Sequence, residues 1–270
     1  FIDKRRFEQP FVMSDIDKQI LQDKSLNYRV MDLTKSTYND ASTSYFHKSI
    51  GGYHGAKLRR YQDVINHYIG GDKVGSKGFW NVINMLNTKY LIYPHANKPM
   101  ANVNPEAFGN AWIVSDIKWV TTPNEEIDAI ENTNVKTTAI VNDEFKNVIG
   151  DLTPSVGTGT IQLTSYKPNE LIYNFNSSKD ELVVFSEIWT SKGWTMWIDG
   201  KESPLIRADY ILRAAVVPAG NHEIMMRYEP KIWKVGNTIQ FVSSLILILG
   251  LFAAILVTYR KSEWTKSVDC

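Results

Sequence analysis

Cysteine is all but missing: the only one is Cys270, the last residue, so no disulfide can form within the chain. A single thiol at a chain end says little about compartment, because proteins of oxidising compartments also do without disulfides. Net charge is missing too. Thirty Lys and Arg stand against 29 Asp and Glu, for a net of +1, which removes any general argument for a polyanionic partner. No stretch interleaves basic and aromatic residues as nucleic-acid binding requires, so no nucleic acid is expected. His47, His54, His67 and His95 are scattered, without a spacing such as H-E-x-x-H, and no metal site is expected. Neither G-x-x-x-x-G-K-[ST] nor G-x-S-x-G occurs, which leaves out a Walker A loop and a serine-hydrolase elbow. Acidic pairs such as Asp15/Asp17 and Glu125/Glu126 read as helix-start and surface residues, and no cofactor is evident. The first residues, Phe1 to Arg6, show neither an initiator Met nor a signal-peptide apolar run. The expectation is a chain that was trimmed or begins partway through a longer one.

What is present is one long apolar run. No charged residue occurs over 236–259, and the nineteen residues 239–257 are almost wholly apolar. As a helix they would extend about 28 Å, close to the hydrocarbon thickness of a bilayer. Trp233 before the run, and Tyr259 and Trp264 after it, stand where interfacial aromatics belong. A buried core helix is the alternative, and it needs a large core around an element that is apolar on every face. The spanning reading predicts a transmembrane helix over 233–260 in contact with the lipid bilayer. Arg260, Lys261 and Lys266 follow at once, so the short tail 261–270 is expected in the cytoplasm and the bulk of the chain outside it. Lys231 and Lys234 on the other flank weaken that asymmetry. Gly236 and Asn237 allow a bend ahead of the span.

Two patterns precede the span. Over 1–150, helical and extended signals alternate. Ser14 caps a helix to about residue 23, and a strand follows at 28–33. Leu58, Tyr61, Ile65 and Tyr68 form a helical stripe over 56–69. Residues 79–86 read as helix and 89–93 as extended. Thr122-Pro123-Asn124-Glu125 supplies a cap, a first-turn proline and a capping-box glutamate for a helix to about 131, flanked by strands at 111–120 and 136–141. Residues 151–160 are rich in turn formers and read as a boundary. Over 151–232, short β segments recur at 159–165, 170–176, 181–188, 194–198, 205–208, 210–217 and 222–228, with Asp199-Gly200 suited to a hairpin turn. The expected fold class is α+β: a small α/β domain (1–150), an all-β sandwich-like domain (151–232), and one C-terminal transmembrane helix.

Two groups of residues are candidates for chemistry. In the first, Gly51, Gly52, Tyr53, His54 and Gly55 open a predicted helix whose first turns carry Lys57, Arg59 and Arg60. Cations are unfavourable at a helix N-terminus, whereas free N–H groups beside Lys and Arg suit a phosphate or other anion. The plainer reading is that Arg59 and Arg60 pair with acidic neighbours or are solvated. In the second group, Trp189, Trp194 and Trp197 lie close in sequence. Trp194 and Trp197 have opposite strand parity, so at most one faces the core, and the other is free to stack on a sugar or pack at an interface.

At these residues the sequence resembles a known family. Gly193-Trp194-Thr195-Met196-Trp197-Ile198-Asp199-Gly200-Lys201, Arg213-Ala214-Ala215-Val216-Val217-Pro218-Ala219-Gly220-Asn221-His222-Glu223-Ile224, Arg227-Tyr228-Glu229-Pro230 and the final helix resemble the C-terminal end of the YfhO family of bacterial multi-spanning membrane proteins. Gly51-Gly52-Tyr53-His54, Lys57-Leu58-Arg59-Arg60-Tyr61-Gln62 and Met85-Leu86-Asn87-Thr88-Lys89-Tyr90 resemble the extracytoplasmic region before it. The resemblance runs in patches over about 25–258. It implies the extracytoplasmic part of a membrane-embedded glycosyltransferase in the bacterial inner membrane, which takes sugar from a polyprenyl-phosphate donor to an envelope polymer or protein. It implies upstream membrane helices as partners. In that class the catalytic acid usually lies near the first membrane helices, so no catalytic residue is expected here. Under it, the 51–60 segment would contact a lipid-linked phosphate or an acceptor. The competing reading is a non-catalytic, membrane-anchored module binding glycan or protein.

Overall fold

The computed structural model describes residues 11–53, 55–96, 98–154 and 159–268. Among the described residues, fourteen strands and seven α-helices give an α+β fold rich in sheet, as expected. Local signals set several element ends. Ser14 caps the helix Asp15–Ile20 through a reciprocal capping box with Asp17, which satisfies N–H groups the helix cannot bond internally. Thr122 caps the helix Pro123–Asn132 by accepting from the Glu125 N–H at 3.2 Å, and Ser76 caps the helix Lys77–Met85.

The first sheet pairs β1 (Arg29–Asp32) in parallel with β2 (Thr88–Tyr93), which is antiparallel to β3 (Met100–Val103). The strand expected at 111–120 breaks at Ser115 into β4 (Ala111–Val114) and β5 (Asp116–Val120). The N–H groups of Ser115 and Asp116 both turn to the Thr137 carbonyl, and β5 leaves to pair in parallel with β6 (Thr138–Asn142). The helix expected at 56–69 begins only at Arg59, and its second half, Ile65–Ile69, is π-helical.

The later strands form two layers. One sheet has the order β11 (Lys201–Ser203), β10 (Trp194–Ile198), β14 (Gly220–Tyr228), β8 (Glu170–Ser177), β7 (Thr160–Lys167). The other has the order β12 (Ile206–Ala208), β13 (Leu212–Val217), β9 (Glu181–Ile188), β4. Tyr173 of β8 meets Phe185 of β9 edge to face at 5.1 Å, which fixes the sandwich. The four-stranded sheet is covered on both faces, and for this reason β9 reads as a near-continuous apolar run instead of an alternating one. Phe185 faces the five-stranded sheet, while Leu182 and Val184 join a core with Val82, Leu86, Ile130 and Ile140 of the earlier segments.

That core corrects the boundary expected at 151–160. The four-stranded sheet draws β4 from before this stretch and three strands from after it, so the α/β part and the sandwich share apolar packing. The compact unit takes in the described residues up to Thr190 together with Thr195–Arg227.

The second unit joins Ser191–Trp194 to the segment from Tyr228 onward. The Glu229 N–H donates to the Gly193 carbonyl at 2.8 Å, and the Trp194 and Tyr228 rings lie 5.4 Å apart. The helix Lys231–Val268 follows and runs unbroken through Gly236 and Asn237, where the sequence had allowed a bend. Within it, the 25 residues Val235–Tyr259 are long and apolar enough to cross a membrane, and none of their most apolar stretch is buried.

Candidate functional site

The predicted 51–60 segment lies at the carboxyl end of β1, where parallel strands usually leave a crevice for ligands. Asp32 ends that strand. Its Oδ1 accepts from the Thr34 N–H at 2.9 Å and the Thr34 hydroxyl at 2.6 Å, a local turn that bends the chain away from the sheet. The Thr37 hydroxyl donates to the Asp32 carbonyl, and the Thr37 carbonyl in turn accepts the Gly52 N–H at 2.8 Å. Gly51 passes so close to this carbonyl that a Cβ would lie 1.8 Å from its oxygen.

These contacts change the reading of the predicted anion site. The Gly51 N–H donates to the Ser49 hydroxyl at 3.0 Å and the Gly52 N–H is spent on Thr37, so neither is free for an anion. The helix that follows, Arg59–Val64, is only six residues long. Lys57 donates to the Tyr38 carbonyl at 3.4 Å. Tyr53 is exposed, and the Arg59 side chain makes no hydrogen bond or ion pair among the described residues. His54 lies outside the described residues.

Arg60 is a structural cation. It reaches the buried Glu126 at 3.1 Å and lies over the Tyr210 ring at 4.4 Å. Glu126 also holds Arg207, through Nε at 3.1 Å and Nη2 at 3.3 Å, and Arg207 continues to Glu144 at 2.8 Å. The Arg207 guanidinium lies against the Trp189 and Phe145 rings, 5.1 and 5.4 Å from their centroids, and the two rings meet edge to face at 6.5 Å. Two residues predicted for separate sites, Arg60 and Trp189, thus meet in one partly buried ion network. Asp209 lies deeper beside it: Oδ1 accepts the Ile140 N–H at 2.9 Å, while Oδ2 is buried without a partner among the described residues. Burial, reinforced by the Glu126 charge and opposed by the Ile140 hydrogen bond, pushes the Asp209 carboxyl up to about 8, so it is protonated at neutral pH.

Of the other tryptophans, Trp194 packs on Tyr228. Trp197 is half-buried and faces away from the core, because its neighbour Met196 is fully buried and strand parity alternates. The two family-like motifs meet in space. Asp199, in the turn after Trp197-Ile198, bonds the His222 Nδ1 at 2.6 Å, and the Ala219 carbonyl faces Nε2 at 3.2 Å. Both ring nitrogens face acceptors, so the imidazolium is the form that fits. Nothing in either motif alone signals that residues 23 positions apart would pair.

Reasoning from sequence also missed a crevice of roughly 380 Å³ beside Asp32. Asp17, Asp32, Thr34, Ser42 and Thr43 supply its oxygen atoms, and Phe46 part of its apolar wall. Asp17 is anchored by Ser14 and by His47 Nε2 at 2.8 Å. Burial pushes its carboxyl up, but these hydrogen bonds outweigh burial and hold it below the usual carboxylate range. Carboxylates and hydroxyls beside an aromatic wall can hydrogen-bond and shelter a polyhydroxylated ligand. Among the described residues, no group of three or more His, Cys, Asp or Glu is arranged to hold a metal ion.

Comparison with known proteins agrees with the resemblance read from the sequence. Residues 131–240 match the family model of the bacterial membrane protein YfhO. The chain is similar to the uncharacterized protein YfhO of Bacillus subtilis (strain 168), 29% identical over 84 residues, which is 31% of this chain. The matched stretch spans 10% of the length of that protein. No solved structure matches the chain.

Proposed function

We propose, from the YfhO match over residues 131–240 as premise, that the chain is the water-facing C-terminal part and last helix of a membrane glycosyltransferase-like protein. In this reading the whole protein transfers sugar from a polyprenyl-phosphate donor to an envelope polymer or protein, and the catalytic acid lies upstream of this chain. The observation that carries the reading is the direct continuation of a folded α+β unit into an unburied apolar helix, within a stretch matched by a bacterial membrane-protein family. The Asp32 crevice supports it chemically, because its carboxylates and hydroxyls suit the hydroxyl groups of an acceptor. With the 51–52 amides, Lys57 and Arg60 engaged internally, a lipid-linked phosphate would meet only Arg59 of the predicted cations.

The protein purified from its own membrane is to be incubated with labelled polyprenyl-phosphate sugars and envelope polymer. Label in the polymer is the expected result; an intact mass equal to this chain alone, with no transfer, would overturn the reading. The single span among the described residues favours a non-catalytic, membrane-anchored binding module in that event. The proposed location is the bacterial inner membrane, with the folded unit extracytoplasmic, and Cys270 gives a test of sidedness. A membrane-impermeant maleimide should leave Cys270 unlabelled in intact cells and label it after lysis. Labelling before lysis would reverse the orientation.

A further inference from the structure

The outer face of the five-stranded sheet carries side chains that strand formation does not favour. Across β7, β8 and β14 the register sets Thr160, Asn176 and Asn221 in one row, and Gln162, Asn174 and Glu223 in the next. All six are exposed and line a shallow depression of roughly 390 Å³. Asparagine is depleted from strands, yet three stand at adjacent outward positions of β8 and β14, both interior strands of the sheet. Asn176 donates to Asn221 across the strands, while the side chains of Gln162, Asn174 and Glu223 bond nothing among the described residues, and polar groups left open at such positions mark function more often than stability. The next row is apolar, Ile172 opposite Met225, and Trp197 on the neighbouring β10 presents its ring to the same face. Beyond it, Lys167, Glu170 and Arg227 close into an ion cluster, with Arg227 to Glu170 at 2.6 Å and Lys167 to Glu170 at 2.8 Å.

We propose that this face binds a neutral glycan chain. Amides offer a donor and an acceptor on one side chain, the complement of a sugar hydroxyl, while Glu223 accepts from hydroxyl pairs. Ile172, Met225 and Trp197 supply the apolar surface against which a sugar ring lies flat. Charge argues against other occupants. The six positions hold one carboxylate and no cation, and the His222 ring on the same depression is engaged by Asp199 and the Ala219 carbonyl, so a polyanion gains little there. The apolar strip is too narrow to hold a folded protein partner. Three strands about 4.8 Å apart and two positions about 6.7 Å apart define a footprint of one or two sugar rings. The biological glycan would be the acceptor of the proposed reaction, and in that respect alone the inference rests on the reading above.

The test uses the full chain in detergent with cellohexaose, chitohexaose and maltohexaose as neutral probes and polygalacturonate as an anionic one, followed by calorimetry and tryptophan fluorescence. At least one neutral probe should bind, and Asn174→Ala with Glu223→Ala should weaken it by about 10-fold or more. These side chains are exposed, so unchanged circular dichroism would show that the fold persists. Asp72→Asn, at an exposed carboxylate of the 3-10 helix Gly71–Lys73, should leave this binding intact. The inference is overturned if no neutral probe binds, if only polygalacturonate binds, or if the sheet variants bind as the parent does. Neutral-glycan binding without sugar transfer by the whole protein would sink the proposed reaction and leave this site standing.

Discussion

Replacing Asp209 by Asn should flatten part of the pH dependence of stability. Asp209 occupies the β12–β13 turn, with Asp209 and Tyr210 both at positive φ, and it clamps β6 by two bonds to Ile140 at 2.8 and 2.9 Å. Its carboxyl titrates at about 8 in the fold, against 3.8 for an ordinary aspartate, chiefly because it is buried. A raised value means that the stabilising protonated form is fully present below about pH 4. That contribution is then lost as pH rises toward 8, because the unfolded chain gives up the proton first. Each pH unit in this window removes about 1.4 kcal/mol, or about 3 kcal/mol between pH 5 and pH 7. Asp209→Asn keeps an oxygen for the Ile140 N–H and places an amide where the protonated oxygen stood. Below about pH 4 the variant should therefore lie within about 1 kcal/mol of the parent. It should be the more stable by about 1–2 kcal/mol at pH 5 and by about 4 kcal/mol at pH 7, and the gap should stop growing above pH 8. Denaturant unfolding of the detergent-solubilised chain, followed by tryptophan fluorescence at pH 5, 6, 7 and 8.5, measures this difference. Parallel stability curves for the two proteins would refute the reasoning.

Three further outcomes follow from the geometry. The hydrogen bond to Asp199 raises the His222 pKa above its ordinary value. The stabilising contribution of His222 should thus be complete below about pH 6.5 and fall away as pH rises through the raised value. An NMR titration of the His222 ring should show this, with the value dropping in Asp199→Asn. Gly51→Ala should cost about 1–3 kcal/mol in a thermal melt, since the Thr37 carbonyl cannot yield, whereas Gly55→Ala has open space and should stay within about 0.5 kcal/mol. Glu126→Ala leaves Arg207 buried and without its bidentate partner, so a loss of about 3–5 kcal/mol is expected. Glu144→Ala, at a half-exposed partner, should cost no more than about 1 kcal/mol by the same melt.

Much was legible from local chemistry. The caps at Ser14 and Thr122, the turn at Asp199-Gly200 and the unburied helix Val235–Tyr259 need only neighbours in sequence, and each stands where the pattern placed it. The β segments after 160 were visible because turn formers recur between short apolar stretches. Periodicity did not show that β4 would cross the apparent boundary to join β9, since strand pairing across about 70 residues leaves no local trace. Nor could it tell a free cation from a paired one. Arg60, Lys57 and the 51–52 amides looked like an anion site because their partners Glu126, Tyr38 and Thr37 are chosen by tertiary contact. Local pattern was enough for most of the elements, for their caps, for the apolar helix and for the family likeness, all short-range or compositional properties, but not for the break at Ser115 or the π-helical turn Ile65–Ile69. Only the tertiary structure decided which charges neutralise one another, which carboxyl keeps its proton and which strand faces stay open, because burial and long-range register set those energies.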